Sequence, residues 1–147
     1  MIVIGSVISG RMSRDLRNTA AMAIGIELLI HKKISVRTDK YKLSQCIYNI
    51  LTNAYKFTDP YGKVSVSYGW NGSELAVSIE DTGKGVSPED REHLFDAYCR
   101  GANASDIPGE GIGLYVVKEN LERINGRIEV ESEAGKGSRF VLTIPSL

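Results

Sequence analysis

Two asparagines one helical turn apart and a lysine three residues on, Asn49, Asn53 and Lys56, are the first residues whose types and spacing suggest chemistry. They sit in a pattern running from Asp39 to about Phe57, closed by Pro60 and Gly62, in which Leu43, Ile47, Ile50, Leu51 and Ala54 recur at helical spacing. At ~100° per residue the apolar set gathers on one side, while Gln45, Asn49, Asn53 and Lys56 fall within an arc of roughly 80° on the other. Asn is a poor helix former, so an ordinary solvated face would more often carry Glu and Lys. Asn offers neutral oxygens suited to a hydrated Mg²⁺, and Lys supplies a point charge for phosphate. On the helix alone, a polar stripe that touches nothing fits equally well.

A second group closes a strand. The alternation that turns Leu75, Val77 and Ile79 inward puts Asp81 on the same face, where a carboxylate needs a partner. Thr82-Gly83-Lys84-Gly85 follows, and its glycines allow close backbone approach. Asp81 could accept from a flat donor such as an adenine amine; alone, it reads more readily as a carboxylate capping its own turn. The third group is Gly109-Glu110-Gly111-Ile112-Gly113-Leu114, which exposes backbone N–H groups ahead of a helix and so favours anions. It matches neither GxGxxG after a strand nor GxxxxGK[ST], which excludes the dinucleotide and P-loop readings.

The elements that must position these residues can be read around them. Arg11 to Ala23 reads as a helix, and Ile26–Ile30 and Ile34–Arg37 as two short strands around the turn His31-Lys32-Lys33. Val64, Val66 and Tyr68 alternate, then Leu75 to Ile79, with Trp70-Asn71-Gly72-Ser73 between them and Asn-Gly as the hairpin signal. A short helix is expected from about Ser87 to Phe95, and Arg100 to Glu110 reads as a mobile loop. Leu114, Val117, Leu121 and Ile124 mark a further helix with Gly126 as its stop, and the chain ends in a hairpin from Arg127 to Ile144. Helices interleaved with antiparallel hairpins predict an α+β, two-layer α/β sandwich with a mixed, mostly antiparallel sheet and helices on one face.

Composition agrees. The 147 residues carry 18 Lys+Arg against 18 Asp+Glu and 42% hydrophobic residues, enough for one compact domain without staples. Zero net charge argues against a surface built for nucleic acid or anionic lipid. The apolar stretch from Met1 to Ile8 is broken by Gly5 and Ser6 and is far shorter than the ~20 residues of a spanning helix. No basic segment precedes it, so no signal peptide is expected.

In this order, the three groups resemble the ATP-binding catalytic domain of sensor histidine kinases, within the superfamily that includes gyrase and mismatch-repair ATPases. The resemblance rests on Gln45 to Thr58, Asp81 to Gly85, Leu94-Phe95, Gly109 to Leu114 and the closing Gly135-Lys136-Gly137-Ser138-Arg139-Phe140, and covers about residues 25–147. It implies the Bergerat-type ATP-binding fold, with residues 1–24 as a helix or linker leading in. It also implies that Asn53 holds a Mg²⁺ bridging the ATP phosphates, that Asn49 assists, and that Lys56 contacts phosphate. Asp81 would read the adenine amine, with Gly83 and Gly85 shaping that side of the pocket. Phe95 would pack under a lid formed by residues 96–110, and Arg100 would reach the terminal phosphate. Gly109, Gly111, Gly113 and Leu114 would line the phosphates, and Ser138, where the family more often has Thr, would sit near Asp81.

One position separates classes. Hydrolysing members carry Glu four residues before the Mg²⁺-binding Asn, where it can act as general base; this chain has Asn49, and an amide cannot take the proton. A neutral imidazole is already a nucleophile, so positioning and charge neutralisation suffice for transfer to histidine. The resemblance therefore implies a protein-histidine kinase catalytic domain acting with ATP and Mg²⁺ on a separate dimerisation and phosphoacceptor domain, upstream of a response regulator. It implies a cytoplasmic location, no nucleic-acid partner and no direct membrane contact. The only histidines, His31 and His93, do not match the family's acceptor motif, so the acceptor domain is expected elsewhere. Cys46 reads as a small core residue, and Cys99 adjoins the lid. A non-catalytic nucleotide-binding or docking module is the alternative, and an ATP-hydrolysing clamp a weaker one.

Overall fold

The computed structural model describes residues 2–4, 7–8, 25–28, 34–97 and 113–146. The elements whose bounds are described are β1 (Ile2–Val3), β2 (Gly25–Leu28), β3 (Ser35–Val36), α1 (Lys40–Phe57), β4 (Lys63–Asn71), β5 (Glu74–Asp81), α2 (Pro88–Arg91), α3 (Gly113–Arg123), β6 (Arg127–Glu133) and β7 (Gly137–Pro145). The expected helix over 11–23, the turn at 31–33 and the loop over 100–110 fall outside the described residues.

The sheet has five strands in the order β2-β4-β5-β7-β6. β2 runs parallel to β4 and every other pairing is antiparallel, so the mixed, mostly antiparallel expectation holds. Alternation decides which face is buried. Val64, Val66 and Tyr68 on β4, Leu75, Val77 and Ile79 on β5, and Phe140, Leu142 and Ile144 on β7 point into one core with Leu43, Ile47, Ile50 and Leu51 of α1 and Val117 and Leu121 of α3. Each such side chain contributes about 1.5–3 kcal/mol relative to exposure. Ile4, Val7 and Ile8 are buried in the same core.

α1 begins where expected. Asp39 caps it by accepting from the Lys42 N–H at 3.0 Å and pairs with the Lys42 ammonium at 2.8 Å, which holds its carboxyl below the usual range. Thr58 leaves the helix in extended conformation, two residues before Pro60.

Four local expectations are corrected. The strands read on either side of 31–33 do not pair with each other: β2 joins the main sheet beside β4, while β3 pairs with β1 in a separate two-stranded sheet. The helix expected over 87–95 ends at Arg91, because the next bonds, His93 N–H to Asp90 O and Asp96 N–H to His93 O, span three residues and tighten the chain into turns. The β4–β5 hairpin turns on Gly72-Ser73, with Asn71 paired to Glu74 in the ladder and Gly72 at φ +66. Asn125, at φ 58, supplies the left-handed stop after α3. Gly126 serves a different need: a Cβ there would lie 2.8 Å from the Thr143 carbonyl oxygen.

Candidate functional site

α1 is the spine of the site, because it touches both other groups. Midway along it, the Asn49 side-chain amide donates to the Gly113 carbonyl at 3.3 Å, at the first residue of α3. At its C-terminal end, the Phe57 carbonyl accepts from the Lys84 N–H at 3.1 Å. Between these anchors stand half-buried Asn53 and exposed Lys56, for which no side-chain hydrogen bond occurs among the described residues.

Asp81 is 5% exposed, on the core-facing side where the alternation places it. Its Oδ1 accepts from the Gly83 N–H at 2.9 Å, so the turn-capping reading is realised. Burial raises its pKa above the ordinary value, and the Gly83 and Ser138 amides pull it back only in part.

The glycines after Asp81 are required by packing. A Cβ on Gly83 would collide with the Phe57 carbonyl, and one on Gly85, at φ +67, with the Glu133 carbonyl. Gly135 donates to the Lys84 carbonyl at 2.6 Å, so the Asp81–Gly85 loop is clamped between α1 and the β6–β7 turn. Gly113 contrasts with them: its φ is not positive, and among the described residues a Cβ would meet nothing within 4 Å.

Ser138 lies opposite Asp81 in the β5–β7 register, near it as expected. Its hydroxyl is 2.8 Å from that of Ser132, which also donates to the Gly137 carbonyl at 3.0 Å and accepts from the Val86 N–H at 2.7 Å. A hydroxyl has one proton, so Ser138 is the donor in the serine pair. Sequence reasoning missed Ser132; its place in an alternating strand gives no signal of this role. A shallow concavity of about 370 Å³ at this end of the sheet is lined by Asp81, Arg91, Ser132, Lys136 and Ser138, among others, and not by α1.

Phe95 and Leu114 are half-buried and pack on the core. Arg100, Gly109, Gly111, Cys99 and residues 98–110 of the expected lid lie outside the described residues, as does His31. His93 is exposed and pairs with Asp96 at 3.0 Å, an ordinary surface histidine. Cys46 is fully buried, its thiol pushed up to about 12 by burial, and its Sγ lies 3.6 Å from the Val117 carbonyl. No described helix is long and apolar enough to cross a membrane.

Residues 38–147 match the family of histidine kinase-, DNA gyrase B- and HSP90-like ATPases. The chain is 32% identical over 133 residues to the autoinducer 2 sensor kinase/phosphatase LuxQ of Vibrio parahaemolyticus, covering 82% of this chain and 15% of that protein. It is 33% identical over 109 residues to the sensor protein SrrB of Staphylococcus aureus, covering 73% and 19%. It thus spans less than a fifth of the length of either relative. Among solved structures, a mycobacterial sensor histidine kinase, MprB, superposes with a TM-score of 0.85 at 25% identity, over 99% of this chain and 97% of that one. Full-length ShkA in complex with AMPPNP matches with a TM-score of 0.85 at 26% identity, over 99% of this chain and 30% of that one.

Proposed function

Since the chain belongs to the family of histidine kinase-, DNA gyrase B- and HSP90-like ATPases, we propose that it is the catalytic part of a sensor kinase that binds Mg-ATP and phosphorylates a histidine on a separate dimerisation and phosphoacceptor domain. That the chain is an ATP-binding domain of the histidine kinase kind follows from the family and its relatives; Mg²⁺, the acceptor and the direction of transfer are the proposal. Residues 25–147 form the catalytic domain in this reading, and residues 1–24 lead into it. The parent would hand its phosphoryl group to a response regulator in the cytoplasm.

The observation that carries the reading is the convergence of three groups on one helix. Asn49 reaches Gly113, Phe57 holds the loop after Asp81, and Asn53 stands between them with no protein partner among the described residues. The donor set suits Mg²⁺, which keeps several waters and takes substrate phosphates as ligands, so that few protein oxygens are needed. No cluster of three acidic, His or Cys side chains is present among the described residues, and none is required. Asn53 would hold the ion, and the ion would neutralise charge on the phosphates. Asn49 gives its amide nitrogen to Gly113, which leaves its oxygen for an ordered water of that ion.

Lys56 then faces phosphate, Asp81 accepts from the adenine amine, and Gly113 offers its backbone to the phosphates. Phe95, Leu114 and Ser138 border the nucleotide, with Arg100, Gly109 and Gly111 contributing from outside the described residues. In the transfer, an imidazole nitrogen of the acceptor attacks the γ-phosphorus, the bond to the β,γ-bridging oxygen breaks and ADP leaves. No carboxylate stands at position 49 to activate water, which disfavours the clamp reading.

The test is a calorimetric titration of the chain with ATP, with and without Mg²⁺, followed by addition of an acceptor domain from a related kinase and γ-labelled ATP. Mg²⁺-strengthened binding and acid-labile label on the acceptor are expected. Binding without label would favour the docking-module reading, and no binding would overturn the site.

A further inference from the structure

Gln45 lies in the same polar arc of α1 as Asn49 and Asn53, yet the nucleotide reading gives it no task. Its side-chain oxygen accepts from the Asn120 amide of α3 at 3.0 Å. Asn120 is 7% exposed, on the buried side of a helix otherwise lined by Val117 and Leu121. A buried amide lowers helix propensity and costs free energy unless paired, so an aliphatic residue would be the default there.

The bond does not stand alone. Along this seam the two helices meet at Gln45 with Asn120, Cys46 Sγ with the Val117 carbonyl, and Asn49 with the Gly113 carbonyl. Position numbers rise along α1 as they fall along α3, as antiparallel neighbours require. An apolar seam alone tolerates small axial slips, because Leu and Val repack at little cost. Hydrogen bonds at fixed intervals do not, since one slip leaves a buried amide unpaired. Single buried polar pairs are a known means of fixing helix register.

We infer that Gln45 and Asn120 form a register clasp holding α3 at one axial position against α1, and so placing Gly113 and Asn49 for the nucleotide. Both are positioning residues: neither touches the ligand. The inference rests on the proposed nucleotide site, and it adds a determinant that lies about two turns of α3, from Asn120 back to Gly113, away from the phosphates.

The test uses the full chain and four forms of it: unsubstituted, Asn120→Leu, Gln45→Leu, and the exchange Gln45→Asn/Asn120→Gln, which keeps one donor, one acceptor and the same number of methylenes. Mg-ATP affinity is measured by calorimetry, and amide hydrogen exchange of α3 is measured without nucleotide. Both single substitutions should retain a cooperative melt, speed exchange in the first turns of α3 and weaken Mg-ATP roughly tenfold, within the range over which contacting pairs couple. The exchange form should recover both properties. Unchanged affinity and exchange in Asn120→Leu would overturn the clasp, as would affinity losses that the exchange form fails to restore. If the unsubstituted chain binds no Mg-ATP, the nucleotide reading falls, and exchange rates decide the clasp separately: faster in Asn120→Leu supports it, equal rates overturn it.

Discussion

The Asn49 amide donates to the carbonyl of Gly113 at 3.3 Å, joining the middle of α1 to the first residue of α3 across 64 positions of chain. The bond places a helix start beside the polar arc of another helix. Two segments whose sequence features are each weak thereby meet.

That bond is exposed, so its removal should cost little stability and more function. Asn49→Ala should lower the unfolding free energy by no more than about 1 kcal/mol. Affinity for Mg²⁺ in the presence of ATP should fall roughly 10- to 100-fold, as for residues that orient a metal's surroundings. Denaturant unfolding and calorimetry read the two effects separately.

Asn53 is half-buried and its side chain has no protein hydrogen bond among the described residues to lose. Asn53→Ala should therefore fold normally, and Mg²⁺ should no longer strengthen its ATP binding. Unaltered Mg²⁺ dependence in a titration would remove Asn53 from the metal.

Asp81 carries a pKa raised chiefly by burial. The folded state binds this proton more tightly than the unfolded chain does, so the carboxyl's contribution to stability is greatest at acid pH. It declines as pH rises from the unfolded value, near 3.8, through the raised folded value, and is flat above that. Asp81→Asn removes the titration and keeps an oxygen for Gly83, so its stability relative to the unsubstituted chain should improve across that window. Its ATP affinity should fall roughly 10- to 100-fold, because an amide donor would face the adenine amine. Thermal melts from pH 3 to pH 8 (a range of about five units) with titrations at neutral pH would check both.

Two glycines should respond in opposite directions. Gly85→Ala meets a positive φ and the Glu133 carbonyl, and the left-handed backbone alone costs about 1–2 kcal/mol. Gly113→Ala meets no described residue within 4 Å at a helix start and should stabilise the fold by up to about 1 kcal/mol. The same change should weaken Mg-ATP binding, since the space it fills is where the phosphates would lie. A Gly113→Ala variant with undiminished affinity would remove this glycine from the site.

The sequence by itself determined the elements and the order of the site's parts. Helical periodicity and the Asp39 cap marked α1, alternation marked β4, β5 and β7, and the same alternation put Asp81 on the buried face. Such patterns are legible because they depend on neighbours within one or two turns of chain. Tertiary structure decided what those neighbours cannot know. β2 chose β4 as a parallel partner and β3 chose β1, although β2 and β3 are close in sequence, because strand pairing is settled by which edge is free and which apolar face must be covered. The left-handed stop after α3 fell to Asn125, leaving Gly126 to clear the Thr143 carbonyl, a neighbour 17 positions away. Gln45 and Asn120 were two ordinary polar residues until α1 and α3 met, since a hydrogen bond between distant side chains has no local periodicity to announce it.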